Sequence, residues 1–259
     1  MGPENRKEPA MGSGFISGIF NYCDKWCERC ALSSRCMVFR AEAESGRLNN
    51  KPQEINEELW REISDMLNTV LENLKKLMKD RGLDHYEDQE IDEEFVRAEE
   101  LVESHPLTLI SETYFKQTHI WLDSNREMIA EKIDGYKSLF EKFPSNNSFI
   151  DRALKINDYV EIIGWYHSMI PMKVNRALNG LYYKDDPEED TVQNDMNGSA
   201  KVALKSVERS IVAWKELSDL IDGEESEIYR QLAMLMKIKE GIHQSFPEAE
   251  KFIRPGFDQ

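Results

Sequence analysis

FIDRALKINDYVEIIGWYHSMIPMKVNRALNG, residues 149–180, sets the fold class. Ala153, Ile156, Val160, Ile163, Ile170, Val174 and Ala177 recur in steps of three, four and seven, which gathers them on one face of an α-helix. Asn179-Gly180 supplies a stop of the kind that ends helices. Pro171 interrupts the run chemically. It has no N–H to give the carbonyl of His167, so a kink is expected there.

The same period extends to both sides. Ile55, Leu59, Ile63, Met66, Val70, Leu74 and Leu77 form an amphipathic helix that Arg81-Gly82 ends. An acidic stretch, Asp84 to Glu94, leads to a shorter helix with Phe95, Val96, Leu101 and Val102, which His105-Pro106 closes. A long helix is expected from about Thr108 to about Phe140, with Ile110, Tyr114, Trp121, Met128 and Ile133 on its apolar face, before the break at Phe143-Pro144-Ser145-Asn146-Asn147. The acidic loop Lys184 to Gly198 is expected to be solvated. Beyond it come a fifth helix (Ala200, Ala203, Leu204, Val207, Ile211, Trp214, Leu217) and a sixth (Ile228, Leu232, Leu235, Ile242, Phe246). No stretch alternates at period two, so the fold class is all-α, a helical bundle of about five to six helices.

Cysteine gives the function its strongest clue. All four, Cys23, Cys27, Cys30 and Cys36, fall within YCDKWCERCALSSRC, residues 22–36. The chain therefore divides into a flexible lead (1–20), a four-cysteine metal- or cluster-binding segment with its linker (21–50), and a helical bundle (51–259). Met1 to Phe20 lacks the long apolar core of a signal peptide, and Phe15 to Phe20 is too short to cross a bilayer. The expected compartment is the reducing cytoplasm, where clustered cysteines are metal ligands before they are disulfides.

Geometry orders the metals. Spacings of i, i+4 and i+7 put three sulfurs on one face if the segment is helical, with Ser33-Ser34 turning Cys36 back as the fourth ligand. Tetrahedral zinc needs its sulfurs within about 3.8 Å of one another, whereas Cys23 and Cys30 would be offset by roughly 10 Å along a helix. A 4Fe–4S cubane spreads its ligands over four corners and so comes first. Zinc comes second and regains ground if the segment is a loop; free thiols or disulfides come third. Lys25, Arg29 and Arg35 are expected to offset thiolate charge, and Tyr22, Trp26, Leu32 and Phe39 to wall the site from water. The expected function is electron transfer or redox or iron sensing, with a protein redox or regulatory partner and a monomeric or dimeric chain. The alternative is a structural zinc-binding interaction module.

The Cys23–Cys27–Cys30 spacing is similar to that of radical S-adenosylmethionine enzymes, over eight residues. That resemblance implies a cluster with one open iron. The rest of the chain lacks the strand–helix alternation of such enzymes, and Cys36 is placed to fill the open corner.

A second constellation lies in the bundle. Glu112, His119 and Arg126 recur every seven residues among Phe115, Leu122 and Ile129; His167 shares a face with Ile163 and Ile170; and Glu208 borders Leu204 and Ile211. Such carboxylates and histidines resemble those of ferritin-like di-iron oxidoreductases, although Glu240 with His243 is the one Glu-x-x-His pair present. A buried polar network is the plainer account. Lys173, Arg176, Lys205 and Arg209 are expected to pair with acids on neighbouring elements.

Composition closes off other classes. A net charge of −16 with no basic run excludes a nucleic-acid surface. The Asp185 to Asp190 stretch lacks a calcium-loop pattern. Phosphate-loop, Ser-His-Asp and His-Glu-x-x-His signatures are missing too.

Overall fold

The computed structural model describes residues 14–44, 68–70, 72–74, 76–77, 79, 93–183 and 192–258. The expected lead before residue 14, most of the linker, most of the 55–81 helix, the acidic stretch before Glu93 and the loop 184–191 lie outside the described residues. The described positions from Asn68 to Lys79 are helical, and Val70, Leu74 and Leu77 there are exposed. One compact unit holds the chain through Cys36 together with Arg97–Gln259; a second spans Met37–Val96. The cysteine segment thus belongs to the same unit as the bundle.

Every α-helix expected after residue 93 forms. They are α2 (Glu93–Ser104), α3 (Pro106–Ser124), α4 (Arg126–Lys142), α5 (Ser148–Tyr182), α6 (Asp195–Ser218) and α7 (Glu225–Ser245), preceded in the second unit by α1 (Met37–Glu44). Among the described residues no strand occurs, and no helix is long and apolar enough to cross a membrane. Two boundaries differ from the sequence expectation. The long helix from Thr108 to Phe140 is two helices. At Asn125 both the backbone N–H and the side-chain amide turn back to the carbonyl of Trp121, at 3.0 Å each, and one residue leaves the helical path. The fifth expected helix begins earlier than Ala200, because the Asn194 side chain caps it by accepting the N–H of Asn197 at 2.8 Å.

Four helices close a ring. α5 packs most extensively on α6, α6 on α7, α7 on α3 and α3 on α5, with α4 laid against the outside of α5. Direction can be read from paired residues. Gly180 meets Met196, Tyr166 meets Arg209 and Tyr159 meets Glu216, so α6 runs antiparallel to α5. Leu107 against Gly241 and Thr118 against Gln231 give the same sense for α3 and α7. Ala200, Ala203, Ser206, Ser210 and Ala213 are buried along α6, and these small side chains allow the close approach to α5.

The core is Tyr114, Trp121, Ile156, Ile163, Ile170, Val174, Val207, Trp214, Ile228, Leu235 and Ile242, all buried. Its aromatic N–H groups and the Thr118–Gln231 pair are hydrogen-bonded, whereas the buried Ser199 and Ser210 hydroxyls have no hydrogen-bond partner among the described residues. Trp214 Nε1–H donates to Tyr114 Oη at 3.1 Å, Trp121 Nε1–H to Glu224 at 2.9 Å, and Thr118 Oγ1 to Gln231 Oε1 at 3.1 Å.

Thr118 and Gln231 are both almost fully buried. Thr118→Val leaves the Gln231 oxygen without its donor and should cost about 1–3 kcal/mol in urea denaturation, and adding Gln231→Leu should recover most of that loss.

Candidate functional site

The segment Gly14–Cys36 does not become the helix that would align Cys23, Cys27 and Cys30. It is a chain of turns, with 3-10 turns at Cys27–Arg29 and Ser33–Arg35. Asp24 Oδ1 accepts the N–H of Trp26 at 3.3 Å, an Asx turn that competes with helix formation. Lys25 then takes φ 59°, the left-handed region, at a cost of about 1–2 kcal/mol for a residue with a Cβ. A backbone held there needs surroundings that over-determine it.

The bundle provides them through α5 and α6. Trp26 stacks on Trp165, with centroids 5.0 Å apart and planes 16° from parallel, and the Arg29 guanidinium lies 4.1 Å from the Trp26 ring centre. Arg29 also reaches Asp158 and Glu161, at 2.5 Å each. Trp165 Nε1–H donates to the Asp24 carbonyl at 2.8 Å. Tyr166 Oη–H donates to the Asp24 carboxylate at 2.6 Å, and Arg209 donates to both that carboxylate and the Tyr166 oxygen. Burial, and then the Asp24 charge, push the Tyr166 hydroxyl far above its usual pKa, so it is a donor throughout the physiological range.

The C-terminal turn holds the other side. Tyr22 meets Phe252 edge to face at 4.6 Å, and both rings cover Gly198 of α6. Lys201 donates to the carbonyls of Glu250 and Phe252 and pairs with Asp258 at 2.9 Å, which also takes Arg254 at 2.9 Å. Burial would raise the Asp258 carboxyl, but Arg254 and Lys201 outweigh it and hold the group well below the usual carboxylate range. Ile16 and Leu32 lie against Gly256. The last part of the expected flexible lead is therefore docked, with Ile19 buried and the Ile16 N–H on the Arg35 carbonyl at 3.0 Å.

All four cysteines are free thiols, partly buried within this docked segment. The Leu32 N–H donates to Cys30 Sγ at 3.4 Å, and the Cys23 thiol donates to the Phe20 carbonyl at 3.5 Å. Burial pushes the Cys23 thiol up despite the amide and charge of Lys25, with Asp24 and Cys36 adding to the rise. Cys36 is thus within electrostatic reach of Cys23. Among the described residues no three His, Cys, Asp or Glu side chains converge closely enough to hold one metal ion. The expected quartet shares a segment but not a point, because two separate turns carry it where a helix was expected to align it.

The second constellation is only half assembled. His119 and His167 lie parallel, with centroids 6.0 Å apart and planes at 6°, and Phe115 stacks on His167 at 5.1 Å. His167 Nδ1 is 2.6 Å from the Gly164 carbonyl, so that nitrogen carries the proton and Nε2 the lone pair. Glu112 bonds Lys116, and Glu208 is held between Lys205 and Lys239 at 2.9 Å each. The ferritin-like donor set is not brought together, and neither is the buried network expected from sequence: His119 and Arg126 are exposed, and Glu112, His167 and Glu208 are half-buried, with their partners near the surface.

A cavity of about 770 Å³ opens where the segment meets α5 and α6, lined among others by Trp26, Cys30, Tyr159, Tyr166, Arg209 and Phe257. Asp24, Trp165 and Tyr166 are docking residues that the sequence did not single out, since each sits among ordinary polar or aromatic neighbours there. The expected ion pairs between neighbouring elements form for Arg176 with Asp195 and Arg209 with Asp24, whereas Lys205 pairs within its own helix with Glu208. Among the described residues Lys173 forms none. Comparison with protein-family models, curated proteins and solved structures gives no match.

A methyl at Gly198 would lie 2.8 Å from Phe252 and closer still to Tyr22. Gly198→Ala should therefore destabilise the protein by about 1–3 kcal/mol and speed limited proteolysis within residues 14–36. Burial, and the neighbouring His119, lower the His167 pKa below its ordinary 6.5, so folding favours the neutral ring. The resulting stability is present above pH 6.5 and lost as pH falls below it. A melting-temperature profile of His167→Gln should be flatter than wild type across that window.

Proposed function

We propose that Cys23, Cys27, Cys30 and Cys36 hold an inorganic centre of the 4Fe–4S type, and that the protein works in electron transfer or in redox or iron sensing. The observation that supports this reading is the Leu32 N–H on the Cys30 sulfur at 3.4 Å, in a docked segment that carries all four thiols. A neutral thiol is a weak acceptor, whereas a metal-bound thiolate is a charged one that backbone amides stabilise.

The donor set fits. Four reduced cysteines lie in one segment anchored at Asp24, Trp26 and Arg29, between the ligands themselves. A bound cluster supplies a one-electron couple. The chain's own residues would shield it with Trp26 and Leu32, fix the backbone between ligands, and direct the Leu32 N–H at the Cys30 sulfur. Cubane corners accept a wider spread of sulfurs than a single tetrahedral ion, and the thiols are not drawn to one point. The loop form of the segment favours a second reading, a structural zinc knuckle on a helical interaction module.

In the first reading the partner is a redox or regulatory protein met in a reducing compartment. A reversible voltammetric wave without change of fold would mark electron transfer; release of residues 14–36 on cluster loss would mark sensing.

Protein purified and reconstituted without oxygen should contain iron and acid-labile sulfide in cluster stoichiometry, and Cys27→Ser or Cys30→Ser should lose both. Stoichiometric zinc without sulfide would replace this reading with the second.

A further inference from the structure

Two arginines show how this protein holds a carboxylate. Arg176 grips Asp195 with Nε and Nη2, at 2.7 and 2.6 Å. Arg254 grips Asp258 with the same two nitrogens, at 3.1 and 2.9 Å. This side-on fork matches the paired oxygens of a carboxylate, and its hydrogen bonds are charge-assisted. Arg209 differs. It reaches the Asp24 carboxylate and the Tyr166 oxygen with Nη1 alone, and among the described residues its Nε and Nη2 bond no protein group.

Arg209 stands on the wall of the cavity of about 770 Å³ where the segment meets the bundle, a volume within the range of sites that hold small molecules. All of that wall belongs to one compact unit. The other charges on it are answered by partners. Arg29 is held by Asp158 and Glu161, and Glu208 by Lys205 and Lys239. Asp24 uses both oxygens, on Trp26, Tyr166 and Arg209. On the α6 side, therefore, the cations Arg209, Lys205 and Lys239 outnumber the anions Asp24 and Glu208. That local excess stands against a net charge of −16 for the chain. Apolar side chains complete the wall: Leu32 from the segment, Ile162 from α5, Val212 from α6 and Phe257 from the C-terminal turn.

We propose that this cavity binds a small amphipathic monocarboxylate, with the carboxylate on Nε and Nη2 of Arg209 and the hydrocarbon body against Leu32, Ile162, Val212 and Phe257. A neutral molecule of the same shape forfeits the charge-assisted fork, and an ammonium meets the cationic side of the site. The inference needs nothing bound at the cysteines. Because the segment supplies one wall and the bundle the others, the acid binds only the docked form and favours it by mass action.

The test uses the full-length reduced protein and three probes of equal chain length, octanoate, octanol and octylammonium, in titration calorimetry near neutral pH. Octanoate should bind at least about tenfold more tightly than octanol, and octylammonium more weakly than either. Saturating octanoate should also slow limited proteolysis within residues 14–36. Val212 keeps 57% of its surface exposed, so Val212→Trp should leave the ligand-free melting temperature unchanged while filling the cavity and abolishing octanoate binding. Arg209→Lys keeps a cation beside Asp24 but removes the fork, and should weaken octanoate at least about tenfold with octanol unchanged. If that variant does not fold, the comparison of octanoate with octanol in the wild type decides the role of the carboxylate. Equal affinity for octanoate and octanol, or tighter binding of octylammonium, would overturn the assignment of an acid. Undiminished octanoate binding by Val212→Trp would overturn the site, and no octanoate binding by the wild type would overturn both.

Discussion

The Asp24 carboxylate is the point on which the N-terminal segment turns. It receives the Tyr166 hydroxyl and the Arg209 guanidinium, while its second role, accepting the Trp26 N–H, shapes the turn between two cysteines. One side chain therefore fixes both where the segment lies and how its backbone bends. The strained conformation of Lys25 follows, because both of its neighbours are held: Asp24 by hydrogen bonds and Trp26 by the ring of Trp165. Locally only the Asp24–Trp26 turn opposes a helix over residues 23–30, and the bundle face is what holds that turn in place.

That face is built where α5 and α6 pack. Small buried residues on α6 line the contact, and Tyr166 of α5 and Arg209 of α6 reach the same Asp24 carboxylate. The ring of four helices needs its long members for this reason. α5 meets α3, α4 and α6 at once, and still carries on its outer side Asp158, Glu161, Trp165 and Lys173, the residues that hold the segment. Packing on one side of α5 and docking on the other are set by the same 35-residue helix.

Much of the bundle was legible because burial leaves a period in the sequence. Ile156, Ile163, Ile170 and Val174 are all fully buried, as their spacing requires. The break at Asn125 was not legible, since it depends on side-chain amide and backbone N–H competing for one carbonyl, and asparagine is common within helices. The four cysteines could be read as a group but not as a geometry. Their spacing allowed a helix, and only the Asp24 turn, decided by partners more than a hundred residues away in sequence, excluded it. Lys173 is expected from sequence to pair with an acid; that it bonds the Asn21 carbonyl instead depends on where residue 21 comes to rest, which no local pattern records.

The docked segment and the C-terminal turn share α6. Tyr22 and Phe252 close over Gly198, and Lys201 ties the Glu250 and Phe252 carbonyls and the Asp258 carboxylate to the same helix. Ile16 and Leu32 in turn lie against Gly256, so the N-terminal segment and the C-terminal turn hold each other as well as the bundle. A change that loosens one of them, at Gly198 or Lys201, is therefore felt by the other.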